Sequence, residues 1–130
     1  MIIMIDEEFD IPNSTPQQRK IGGKGTHPTA GLRYARAAWQ ALLEKYKPAK
    51  PMAEPVTLDV VLYYHSRQYL KHAVEPKTTR PDGDNLLKII KDAATKAGWW
   101  MDDAIVYVET ITRFRTRGPS KVFIRAKEAE

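Results

Sequence analysis

Apolar and polar residues alternate with two different periods along this chain, and the changes of period mark its elements. Residues 2–5 and 9–11 are short apolar runs that read as strand. Residues 12–28 hold Pro12, Pro16, Gly22, Gly23 and Gly25 together with Arg19, Lys20 and Lys24, a long, flexible basic loop. Over 31–46, Leu32, Ala35, Trp39, Leu42, Leu43 and Tyr46 recur at helical spacing, which leaves Arg33, Arg36 and Lys45 for a wetter side. Pro48, Pro51 and Pro55 break the pattern across 47–55.

From 56 to 64 the period drops to two. Val56, Leu58, Val60, Leu62 and Tyr64 share one face, and Thr57, Asp59, Val61 and Tyr63 the other, as in a largely buried strand. Residues 65–80 are polar and basic without periodicity, a loop. A second helix is predicted over 85–97, with Leu86, Ile89, Ile90, Ala93 and Ala97 as its core stripe, Asp84 as cap and Gly98 as stop. Residues 105–115 form a strand with Val106, Val108, Thr110, Thr112 and Phe114 on one face. Gly118-Pro119-Ser120 turns the chain, and 121–125 returns as a further strand. The sum is one α+β domain over residues 1–130, a mainly antiparallel sheet with two principal helices.

Composition narrows the chemistry. With 130 residues, 42% apolar and 28% charged, the chain suits one globular domain rather than a disordered segment. It has no cysteine, which excludes disulfides, thiolate zinc sites and a cysteine nucleophile. His27, His65 and His72 include no i, i+4 pair, so a histidine zinc site is not expected. The apolar runs are too short to span a bilayer, and Met1 to Glu7 turns acidic at once, unlike a signal peptide. A cytoplasmic location and no membrane partner are the expectations. A net charge of +5 admits a polyanionic partner, because lysine and arginine release counterions from phosphates.

The chemistry-bearing stretch is Pro81-Asp82-Gly83-Asp84-Asn85-Leu86-Leu87-Lys88. Residues i and i+2 of extended backbone point the same way, so Asp82 and Asp84 can converge on one point. Two converging anions repel unless a cation sits between them, and Mg²⁺ suits one or two carboxylates with water and phosphate filling the remaining positions. Asn85 offers an amide, and Lys88 lies one helical turn beyond Asp84, where an ammonium can meet phosphate. Asp-Gly-Asp-Asn is equally a good turn and helix cap. Trp99-Trp100-Met101-Asp102-Asp103 follows the helix. Adjacent strand residues face opposite ways, so at most one of Asp102 and Asp103 enters a given site; Asp103 at the strand entrance can complete the metal site, or both can be loop acids.

In order and spacing, Arg80 to Lys88 followed by Trp100 to Asp103 resembles the signature of RusA-type Holliday-junction resolvases, over roughly residues 77–115. The resemblance implies that Asp82, Asp84 and Asp103 bind the metal, that Lys88 is the basic catalytic residue and that Asn85 supports them, with Asp102 the competitor for the third ligand position. It implies a homodimer that nicks two strands of a four-way or branched DNA in Mg²⁺ or Mn²⁺, often of phage or prophage origin, by hydrolysis without a covalent enzyme intermediate. Family members begin with a proline- and arginine-rich strand-loop, of which 12–28 is a looser version.

DNA contact is then expected from Arg19, Lys20, Lys24, Lys77, Arg80, Arg113, Arg115 and Arg117, with Lys121, Arg125 and Lys127 on the last strands. The alternative for the last-strand cations is a solvated sheet edge. Trp99, Trp100 and Tyr107 are candidates for stacking on bases, with core or dimer contact the alternative for the tryptophans. Two other readings remain at this point: a non-catalytic junction- or DNA-binding module, and a Mg²⁺-dependent hydrolase of nucleotides or phosphate esters.

Overall fold

The computed structural model describes residues 1–12, 18–20, 26–28, 30–80 and 82–130. Strand β1 (Ile2–Glu8) is followed by the short strands β2 (Gln18–Lys20) and β3 (Thr26–Pro28), helix α1 (Ala30–Glu44), strand β4 (Val56–His65), strand β5 (Val74–Pro76), helix α2 (Gly83–Ala97), a single 3₁₀ turn (Asp103–Ile105), strand β6 (Val106–Thr116) and strand β7 (Lys121–Glu128). Five strands form one sheet in the order β1-β7-β4-β6-β5, and β2 pairs with β3 apart from it.

Strict alternation builds the sheet's inner face. Ile3 and Ile5 of β1, Val56, Leu58, Val60 and Leu62 of β4, and Val122, Ile124 and Ala126 of β7 are all buried. The two helices lie against that face. From α1 they contribute Leu32, Trp39, Leu42 and Leu43, and from α2 Leu86, Leu87, Ile89, Ile90, Ala93, Ala94 and Ala97. Lys91 of α2 reaches Glu109 of β6 at 2.8 Å and ties the helix to the strand beneath it.

The sheet is mixed rather than simply antiparallel. β1·β7, β7·β4 and β5·β6 are antiparallel, but the central pair β4·β6 is parallel. Parallel neighbours need a long connection, and the segment holding α2 supplies it. The turn at Gly118 therefore makes no hairpin: it carries the chain from β6 past β4 to β7.

Several local expectations change. Residues 9–11 are not strand; the Phe9 amide donates to the Ser120 carbonyl and its ring packs 4.8 Å from that of Trp39. The 12–28 loop contains the β2·β3 pair, and the 65–80 loop contains β5, which pairs with the edge of β6. Pro16, Gly22, Gly23, Lys24 and Gly25 lie outside the described residues. A register shift where β4 begins separates Val106, which packs on the core, from Val108, which is exposed, so the two do not share a face. Asp82, not Asp84, occupies the cap position of α2.

Candidate active site

Helix α2 carries the site. Asp82 is its extended N-terminal flanking residue, with φ −69° and ψ 143°, and Asp84 sits in its first turn. The two aspartates are thus arranged by a helix start and not by a stretch of strand. Gly83 between them is a close-approach position: a Cβ there would come within 3.2 Å of Ile111 Cγ2 and 3.6 Å of Arg113 Nε on β6. Its service is to let the helix end rest on the strand. Pro81 lies outside the described residues.

Asp82 makes no side-chain cap hydrogen bond, although it stands where a cap would. Both aspartates are exposed and neither forms an ion pair among the described residues. The positive end of the helix dipole favours anions here, which offsets part of their mutual repulsion. Lys88, one turn further along, is exposed and pairs with neither Asp84 nor Asp92. Asn85 is half-buried beside them.

Asp103 is held elsewhere in the chain. The 3₁₀ turn that contains it flanks the second half of α2, and Asp103 opens onto a shallow groove with Arg36, Asp92 and Lys96. Eight residues of helix separate Asp84 from Asp92, roughly 12 Å of axis. Among the described residues no three acidic or histidine side chains gather where they could share a metal ion. Asp102 is engaged: its Oδ1 accepts the Ala104 amide at 2.9 Å and caps the 3₁₀ turn. Of the adjacent pair, Asp103 is the one whose carboxylate carries no such duty.

A carboxylate pair of this kind suits a hard divalent cation, which takes oxygen ligands and completes its shell with water and phosphate oxygens. The Asp82–Asp84 end of α2 fits that requirement in part, with two donors from one chain.

The basic residues divide by position. Arg113 donates to the Thr79 carbonyl at 3.0 Å and so braces the segment leading into Asp82. Arg117 donates to the carbonyls of Leu70 at 2.7 Å and Lys71 at 3.0 Å, and pins the loop between β4 and β5. Arg80 is exposed. Arg19 and Lys20 are placed on β2 by their backbone. Lys77 lies over the Tyr64 ring, 5.1 Å from its centroid, a pairing that sequence reasoning missed. No local pattern signals it, because Tyr64 and Arg115 are brought together only by the β4·β6 pairing. Burial pushes the Tyr64 phenol up to about 12, against the opposing effect of Arg113.

The tryptophans are not open to bases. Trp99 and Trp100 are each 1% exposed, and their indole N–H groups donate to the Leu43 carbonyl (2.9 Å) and Thr95 Oγ1 (2.7 Å). Tyr107, in contrast, is exposed.

Comparison with known proteins bears on the chain's family. The family model described as endodeoxyribonuclease RusA matches residues 10–127. The crossover junction endodeoxyribonuclease rusA of Lactococcus phage r1t is 38% identical over 107 residues, covering 78% of this chain and 81% of the phage protein. With the family model reaching both helices and every strand of the five-stranded sheet except β1, this chain belongs to the RusA endodeoxyribonuclease family.

Proposed function

We infer that this chain is a structure-specific endodeoxyribonuclease that resolves Holliday junctions or related branched DNA by paired nicks, in recombination and repair. The supporting observation is the pair of exposed carboxylates Asp82 and Asp84 at the start of α2, without an ion pair among the described residues, in a chain of the RusA family. Two carboxylates facing a phosphodiester place like charges together, so they become useful only with a divalent cation, Mg²⁺ or Mn²⁺. When bound, such a cation supplies Lewis-acid polarisation of the scissile phosphate and lowers the pKa of water.

The chain's own groups do the rest. Asp82 and Asp84 fix where the cation and hence the phosphate sit. Lys88 is positioned on the same helix to take up charge building on the phosphoryl oxygens. Asn85 orients its neighbours. Hydrolysis by water needs no covalent intermediate on the protein.

The reading extends to a homodimer in which the third ligand comes from the partner. Asp103 is held beside the second half of α2, away from the other two aspartates of its own protomer. A second copy offers the remaining carboxylate, and two sites in one dimer match two nicks in one junction. A phage or prophage setting and a cytoplasmic site of action accompany this reading; no helix among the described residues is long and apolar enough to cross a membrane.

Complementation tests it. Asp84→Asn and Asp103→Asn should each lower Mg²⁺-dependent nicking of a four-way junction about a thousandfold, a loss of roughly 4 kcal/mol in transition-state stabilisation. Mixed heterodimers of the two variants should regain single-strand nicking, because one site then holds a full ligand set. Dead homodimers that stay dead when mixed would place Asp103 within its own protomer's site. Full nicking by Asp84→Asn would remove the nuclease mechanism altogether.

A further inference from the structure

Next to the α2 end, where β4 and β6 run out beyond the helices, an open groove of about 660 Å³ is lined by Tyr64, His65, Arg67, Lys77, Thr79 and Arg115, among others. We propose that Lys77 and Arg115 together hold one phosphate of the DNA strand at a subsite flanking the cleaved bond. This rests on the nuclease reading above and adds to it where the strand runs.

Three observations carry the proposal. First, the cations are gathered without compensation. Neither Lys77 nor Arg115 forms an ion pair among the described residues. Asp10 also lines the groove but bridges to neither. Glu75 stands opposite Arg115 in the β5·β6 register, yet its Oε2 accepts the His72 amide at 3.3 Å. Burial, and then the nearby Arg113 and Arg115, hold the Lys77 ammonium below its ordinary pKa. An anion in the groove relieves that repulsion.

Second, Lys77 is held in place rather than left to solvent. Lys77 Nζ lies over the Tyr64 ring and donates to Thr79 Oγ1 at 2.8 Å, while its backbone amide donates to the Arg113 carbonyl at 3.0 Å. Arg115 extends from the sheet itself, opposite Tyr64. Pre-ordered donors lose less entropy on binding than free surface lysines.

Third, the groove adjoins the carboxylates. Thr79 contacts both Lys77 and Arg113, and Asp82 lies three positions beyond Thr79. Even fully extended, that span is about 10 Å. A nucleic-acid strand advances about 3.4 Å of axis per phosphate, so the subsite falls within about three nucleotides of the scissile phosphate.

The test uses the full-length chain and a synthetic four-way DNA junction. Binding is measured without a cleavage-supporting metal as a function of salt. Lys77→Met keeps the aliphatic stem on Tyr64 and removes the charge; Arg115→Gln keeps a donor. Each should lower the slope of log affinity against log salt by about one contact or less, and the double variant by no more than about one, because the two share a phosphate. Unchanged slopes in both single variants, or a double variant that loses two, overturn the shared subsite.

A scan on the DNA side is independent of any folding defect. A neutral methylphosphonate placed singly within about three nucleotides of the cut should weaken wild-type binding at one position, and leave the double variant unaffected there. A flat scan overturns the proposal. Cleavage with a flat scan keeps the nuclease and removes the groove; the expected slopes and scan without cleavage keep the groove and remove the nuclease.

Discussion

The two ends of helix α2 are built to opposite standards. At its C-terminus nearly every polar group is used. Gly98 takes the left-handed conformation at φ 90°, its amide donates to the Thr95 carbonyl, and the Trp99 amide reaches the Ala94 carbonyl. Both indoles are buried and bonded, and the Met52 amide donates to the Trp99 carbonyl at 2.7 Å. At its N-terminus the capping position is filled by an aspartate with no side-chain cap bond, followed by a second exposed aspartate and a lysine that has no ion pair among the described residues. One end is spent on stability. The other leaves charged groups free, at some cost in local stability, which is the condition for binding something that the isolated chain does not contain.

The largest effect on stability should follow from damage at the closed end. Trp99→Phe removes the indole N–H from the Leu43 carbonyl and leaves space where the larger ring was. The carbonyl keeps the Tyr46 amide as a donor, so a loss of about 2–3 kcal/mol is expected from one forfeited hydrogen bond and the cavity together. Urea unfolding monitored by circular dichroism measures it. A loss below about 0.5 kcal/mol would mean that the closed end is no firmer than the open one.

Gly98→Ala should cost less, about 1–2 kcal/mol. A Cβ at this position meets nothing within 4 Å, so the penalty is backbone strain alone. Gly98→Asn separates strain from packing, since asparagine tolerates the left-handed region better than alanine does. Equal losses in the two variants would assign the penalty to something other than φ.

This contrast also explains what could be read from the sequence. The closed end was legible: the glycine stop and the core stripe Leu86, Ile89, Ile90, Ala93 and Ala97 are local patterns that the fold retains. So was the inner face of β4, whose alternation has period two. The β4·β6 parallel pairing was not legible, because register between distant strands is set by the crossover and not by either strand's own pattern. The shift at Val106 and the strand β5, three residues long, are features that periodicity over longer windows passes over. At the open end, sequence identified the residue types but not their offices. Asp82 takes the cap position expected of Asp84, which lies in the first turn instead, Asp102 turns out to cap the 3₁₀ turn, and the tether of Arg113 to Thr79 appears only when β6 lies under the helix.

The smallest expected effect on stability is the most informative about the open end. An aspartate that caps a helix typically contributes about 1 kcal/mol through its bond to a backbone amide. Asp82 makes no such bond, and it stands near another anion. Asp82→Ala should therefore shift the urea-derived stability by no more than about 0.5 kcal/mol, the favourable dipole interaction being partly cancelled by relief of repulsion from Asp84. Mg²⁺ should raise the melting temperature of the wild type and not that of this variant, because a ligand that binds only the folded state stabilises it to an extent that grows with its occupancy. A cost near 1 kcal/mol with the Mg²⁺ response intact would make Asp82 a structural cap. A small cost with the response abolished would make the unused cap a ligand, since the carboxylate would then be held for the ion and not for the helix.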